Sequence, residues 1–143
     1  MNKNFQDYIS YLENLTPATL SALSNYVTAD IRFADPLNDA TGVEQMRKIF
    51  LKMFAQIEDI RFFVNHAASQ DNYCLLHWRF EGRFKGKVFG FDGTSFIRFS
   101  QDGLVIEHID YWDASSNFFE YLPIVGWLIT WIKRRLHSDQ KLS

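Results

Sequence analysis

An α+β fold is what the sequence predicts: N-terminal helices packed on one face of a curved, mostly antiparallel sheet, finished by a C-terminal helix. Two successive hydrophobic periods predict it. Apolar residues recur every three or four positions as far as Ile57, and every two positions from Ile60 onward. A third observation gives the sheet its sense, because the links between the later segments are short enough to force antiparallel pairing.

In order along the chain, Phe5, Tyr8, Ile9 and Leu12 form one face of an amphipathic helix. Thr16 followed by Pro17 reads as an N-cap and a first-turn proline, opening a second helix with Leu20, Leu23 and Val27 on its inner face. The short extended segment Ile31-Arg32-Phe33 ends at Asp35-Pro36, where the proline disfavours helix for Asp35. Thr41-Gly42-Val43-Glu44 has the pattern of a capping box for a third helix, with Val43, Met46, Phe50, Met53, Phe54 and Ile57 apolar. Five strands are then expected over 60–66, 73–84, 87–91, 94–100 and 104–112. Gln70-Asp71-Asn72, Lys85-Gly86, Asp92-Gly93 and Gln101-Asp102-Gly103 supply the turns or bulges between them. Residues 1–123 make up the domain. Residues 124–143 read as an apolar-then-basic helix packed on the domain or on a partner, its segment 124–135 also suited to a peripheral membrane contact.

At 143 residues the chain has the length of one domain, and with 47% hydrophobic residues it can build a packed core. Fifteen basic against seventeen acidic side chains give no electrostatic reason to expect nucleic acid as a partner. The N-terminus lacks the apolar core of a secretory signal and no apolar run approaches the ~20 residues of a membrane span, so the expected place is the cytoplasm. The lone Cys74 reads as a buried small hydrophobe. Neither a metal nor an organic cofactor is expected: the histidines lack ligand spacing, and the seven glycines are scattered through turns.

Three groups of residues could carry chemistry. Asp35 sits among apolar neighbours, where partial desolvation would raise its pKa and make it a proton acceptor near neutral pH. The plain alternative is that Asp-Pro only starts a turn. His77, Arg79 and Glu81 alternate on one strand face, and His108, Asp110 and Trp112 on another. Facing the helices, they would place Arg79 between carboxylates; facing solvent, they would form a cross-strand charge ladder, and strand register decides between the two.

From about Tyr8 to Gly126 the element order and several short motifs resemble the nuclear transport factor 2-like superfamily. That superfamily includes ketosteroid isomerases, limonene-epoxide hydrolase and SnoaL-like polyketide cyclases. The resemblance implies a conical α+β barrel around a pocket, and in many members a homodimer through the sheet. The stretch 27–36 is similar to the ketosteroid isomerase segment ending in the proton-shuttling aspartate, which implies Asp35 as general base. Tyr8 then falls near that family's oxyanion tyrosine, with Tyr11 as a competitor, and Ser95 stands where the family has a protonated aspartate. Arg79-Phe80-Glu81 resembles the Arg-x-Asp motif of limonene-epoxide hydrolase. Ile109-Asp110-Tyr111-Trp112-Asp113 resembles its Arg-Asp-Tyr-Phe-Asp motif. That likeness implies Asp110 and Glu81 as acid and base flanking Arg79, although Glu81, Asp35 and Phe33 replace an Asp, an Asn and a Tyr. SnoaL-like cyclases carry an acid/base aspartate late in the last strand, for which Asp110 or Asp113 would serve.

Together these readings give a SnoaL-like enzyme doing acid/base chemistry on a small apolar molecule such as a steroid, terpenoid or polyketide, by isomerisation, cyclisation or water addition. Asp35, Asp110, Arg79, Glu81, Tyr8 and Tyr11 are the candidate catalytic residues. Phe33, Phe50, Phe54, Ser95, His108 and Trp112 are the candidate substrate-binding ones. The alternative is a non-catalytic ligand-binding or dimerisation module.

Overall fold

The computed structural model describes residues 1–114. The elements are helix α1 (Lys3–Glu13), a 3-10 helix (Thr19–Asn25), strands β1 (Val27–Asp35) and β2 (Asn38–Thr41), helix α2 (Val43–Gln56), and strands β3 (Glu58–Gln70), β4 (Tyr73–Phe84), β5 (Lys87–Phe99) and β6 (Val105–Tyr111). The expected C-terminal helix over 124–143, with its membrane contact through 124–135, lies outside the described residues. No helix among the described residues is long and apolar enough to cross a membrane.

Helix α1 starts at Asn2, whose side chain accepts the Asn4 N–H at 2.9 Å, and it buries Phe5, Tyr8, Tyr11 and Leu12. Tyr11 takes the deep position expected of Ile9, because its ring stacks on Tyr26 at 4.1 Å. The second helix is tighter and shorter than its spacing suggested. Leu20 and Leu23 are three apart, the repeat of a 3-10 helix, and Val27 already belongs to β1. Thr16 does help start it, its hydroxyl accepting the Thr19 N–H at 3.2 Å. The capping box does not form: Thr41 ends β2, and Gly42 takes the N-cap of α2 at φ +106°, donating its N–H to the Ile31 carbonyl at 2.8 Å. A side chain at that φ would be strained, so glycine is what lets strand turn directly into helix. Only Met46 of the α2 apolar positions is fully buried; Phe50 and Phe54 are half-buried.

The six strands form one sheet in the order β2-β1-β6-β5-β4-β3, with β1 and β6 parallel and every other pair antiparallel. Its edges, β2 and β3, do not pair with each other, so the sheet is curled but unclosed and the expectation of a barrel is corrected. Register shifts in β1, β3 and at the end of β5 mark where the strands bend. Strand β2 went unforeseen because Asn38-Asp39-Ala40-Thr41 lacks apolar alternation, as an exposed edge strand can. The two strands expected over 87–100 are one. Gly93 is not a turn but the partner of Trp78, and a Cβ there would stand 2.4 Å from the indole. It is a glycine because a tryptophan lies across it.

Alternation along β4 and β5 then fixes the two faces. Leu76, Trp78, Phe80, Phe89, Phe91, Ser95 and Ile97 point to the buried side, and Cys74 is buried with them, its thiol pKa raised by that burial. Burying each large apolar side chain is worth ~1.5–3 kcal/mol, and this face packs against the buried side chains of α1, β1 and α2 to form the core.

Candidate functional site

The inner face of β6 presents His108 and Asp110, two residues apart and therefore on one side of the strand. Register places Ser95 of β5 directly opposite Asp110, and Leu76 of β4 opposite Ser95, so Trp78 stands diagonally across from the serine. From above, α1 brings down Tyr8, which is 1% exposed. The result is a continuous hydrogen-bonded chain through the core. Trp78 Nε1–H donates to Ser95 Oγ at 2.8 Å, and the Ser95 hydroxyl donates to Asp110 Oδ1 at 2.5 Å. His108 Nε2 meets the same Oδ1 at 2.8 Å, and Tyr8 Oη meets His108 Nδ1 at 2.8 Å.

One assignment of hydrogens satisfies every member. Tyr8 donates to an unprotonated Nδ1, and the protonated Nε2 of the neutral imidazole donates to Asp110. With a proton on Nδ1 instead, the buried Tyr8 hydroxyl would lose the acceptor at the end of its bond. Burial together with the charge of Asp110 pushes the Tyr8 pKa well above its ordinary value, which keeps the phenol a donor.

Asp35 closes the hairpin between β1 and β2. Its Oδ1 accepts the Leu37 N–H at 2.7 Å, and the Asn38 side-chain amide reaches both oxygens at 3.0 and 3.1 Å. Desolvation nonetheless dominates and pushes its pKa up to about 6; the hydrogen bonds from Asn38 and Leu37 oppose the rise, and the charge of Asp110 adds to it. Aromatic rings surround these groups. Phe33 lies 5.3 Å from the His108 ring and 5.2 Å from Phe50, and Trp112 lies 5.1 Å from Phe91.

Of the residues singled out in the sequence, Asp35, Asp110, Tyr8, Ser95, His108, Phe33 and Phe50 are thus brought to the inner face, with Trp112 against Phe91 beside it. Phe54 is half-buried on α2. Tyr11 is not part of the group: its hydroxyl donates to the Thr19 carbonyl at 2.9 Å, and burial pushes its pKa up to about 12. Arg79 and Glu81 are on the opposite face of β4, about one-third exposed, where Arg79 lies 3.4 Å from Asp92 and 3.8 Å from Glu81. The arrangement with Arg79 between inward carboxylates is corrected, because the buried Trp78 and Phe80 occupy that side of the strand. Trp78 was not foreseen as a member of the site. The clue was available, since a buried indole N–H requires an acceptor and a serine stands in the next strand. Among the described residues no group of three or more His, Cys, Asp or Glu could hold a metal ion.

A curled sheet whose helix-covered face carries carboxylates among aromatic rings defines a class of small α+β proteins. The chain belongs to the SnoaL-like domain family, whose sequence profile matches residues 8–108. No curated protein sequence matches it. Among solved structures it is similar to a SnoaL-like polyketide cyclase from Agrobacterium tumefaciens, at 20% identity and a TM-score of 0.71 over 85% of this chain and 99% of that one. A hypothetical protein of ketosteroid isomerase-like fold from Catenulispora acidiphila, crystallised with trimethylamine, gives 19% identity and a TM-score of 0.70 over 82% and 91% of the two chains. An LEH-like epoxide hydrolase of M. tuberculosis gives 12% and 0.66 over 94% and 91%. At these identities the likeness shows the fold.

Proposed function

We propose that this protein is a cofactor-free acid/base enzyme acting on a small, largely apolar molecule, with Asp110 as base and Asp35 as acid. The observation that carries this reading is the contrast between two neighbouring carboxyls. Asp35 is desolvated and pushed up to about 6, whereas Asp110 accepts hydrogen bonds from Ser95 and His108. A pair of carboxyls in such unequal settings is how one site holds a proton donor and a proton acceptor together. The hydroxyls of Tyr8 and Ser95 are both used as donors inside the network, which leaves less support for stabilising an enolate oxygen than for a two-carboxyl reaction.

The reaction class this favours is addition of water across a polarised carbon–oxygen bond, as in opening an epoxide. Asp110 takes a proton from water while the water oxygen bonds to carbon. The carbon–oxygen bond breaks, and Asp35 gives its proton to the departing oxygen. The aromatic wall would hold the hydrocarbon part of the substrate. With a panel of terpenoid epoxides, steroids and polyketide-like compounds, Asp35→Asn and Asp110→Asn should each cost at least ~10²-fold in turnover. Wild-type turnover should fall as pH rises through about 6, as the acid loses its proton. Full activity in either variant would overturn the role given to that residue.

We further propose a second copy of the chain as the partner of the outer sheet face. Ala68, Leu75, Phe96 and Ile109 are successive register partners across β3, β4, β5 and β6, an apolar row on the side away from the helices, and Leu75 is 50% exposed. Such a row meets its own copy in a two-fold dimer. Light scattering should give twice the chain mass, and Leu75→Lys should shift it towards one; a monomer in the wild type at all concentrations would overturn the proposal.

A further inference from the structure

Asp110 has two oxygens, and the network uses only one of them. Ser95 and His108 both bond to Oδ1, from the β5 and β6 sides respectively, and no hydrogen bond or ion pair among the described residues engages Oδ2. The side chain is 18% exposed, while that of His108 is 3% exposed. The partners of Oδ1 are buried, and Asp110 itself keeps some exposure.

We propose that His108, held in one tautomer by Tyr8, is a positioning residue: it pins Oδ1 of Asp110 so that Oδ2 is presented to the substrate. The inference rests on the reading of Asp110 as the base. A carboxylate on a strand can rotate about its last bond, and each orientation offers a different lone pair. Two donors converging on Oδ1 from neighbouring strands remove that freedom. The imidazole can donate to Asp110 only with its proton on Nε2, and the Tyr8 phenol selects that form by donating to Nδ1. Burial of Tyr8 beside Asp110 keeps the phenol protonated and the selection in force. Tyr8 therefore acts at one remove, through the histidine, and the family's oxyanion role is not the one its geometry supports here.

The tautomer can be read without any substrate. Long-range proton–nitrogen NMR on the full chain at pH 7 should show His108 protonated at Nε2 and bare at Nδ1, and Tyr8→Phe should let the other tautomer appear. An Nδ1-protonated His108 in the wild type would overturn the proposal. On whichever compound of the panel is turned over, His108→Leu should lower kcat about 10²-fold with KM little changed, the size of effect expected from a misplaced reacting group. His108→Gln, whose amide can still donate to Oδ1, should recover most of that loss. Should His108→Leu fold poorly, Tyr8→Phe gives the same test with a smaller perturbation, a reduced kcat at unchanged KM. Loss of kcat in Asp110→Asn with full kcat in both His108→Leu and Tyr8→Phe would refute the positioning role and leave the proposed function standing. The expected tautomer with full activity in Asp110→Asn would refute the function and leave the network a structural one.

Discussion

Strands β4, β5 and β6 together carry polar side chains on both faces of the sheet, and the two sets have different surroundings. On the inner face, Ser95, His108 and Asp110 are linked through atoms 2.5–2.8 Å apart, and Trp78 and Tyr8 close the two ends of the chain. On the outer face, Arg79 stands 3.4 Å from Asp92 and 3.8 Å from Glu81, and these side chains are 36%, 55% and 35% exposed. Water screens the outer set, so its members contribute little and tolerate loose geometry. On the inner face Tyr8, Trp78, Ser95 and His108 are buried, so each of their polar atoms must have a partner or be costly, and only Asp110 keeps some exposure. Chemistry of the acid/base kind needs the second situation. What separates a candidate site from a surface ladder here is one residue of strand register, not residue type.

Asp35 gives the larger of two tests of that division. Its carboxyl has an ordinary pKa of 3.8 and is raised to about 6 in the fold, so the folded chain holds the proton more tightly than the unfolded one. Stability therefore gains from this group as pH falls from about 6 towards 4, and above 6 the buried charge is a cost. Two units at ~1.4 kcal/mol each put that cost on the order of 2–3 kcal/mol. Asp35→Asn keeps the shape and a side-chain acceptor for the Leu37 N–H while removing the charge. The variant should unfold at higher urea than wild type at pH 7.5, with the difference vanishing near pH 4. A variant less stable than wild type at pH 7.5, or equally stabilised at both pH values, would mean that Asp35 is not the desolvated group its surroundings make it. A stabilised but inactive variant is the signature of a residue kept for function at the expense of the fold.

Much of the fold was legible because it rests on spacing. The bounds of β4 follow from its alternation, and α1 and α2 from their apolar periods. The errors fall where a distant contact overrides local pattern. Asp92-Gly93 has the composition of a turn, and only the presence of Trp78 across the sheet explains a glycine inside β5. The candidate site was half legible for the same reason. Asp35 could be read as desolvated from Phe33 and Pro36 beside it. The bond between Tyr8 and His108, however, joins residues 100 positions apart, and nothing local to either one announces it. Strand alternation grouped His108 with Asp110 and Arg79 with Glu81 correctly, but alternation cannot say which group turns inward. The bulky partners do say it: Trp78 and Phe80 are too apolar to yield the buried side of β4 to an arginine and a glutamate.

Arg79→Ala is the smaller test, and it bears on the outer face alone. Both of its ion pairs are long and water-exposed, so the loss should cost no more than about 0.5 kcal/mol in urea unfolding and should weaken further in high salt. Part of even that cost comes from packing, since the guanidinium lies against Gly90, where a Cβ would stand 2.6 Å from Nη2. Turnover on any compound the protein accepts should be unchanged, because the side chain lies on the opposite face of the strand from Trp78 and Ser95. If Arg79→Ala instead loses activity as heavily as Asp110→Asn, the outer face takes part in the chemistry and the division between the two faces fails.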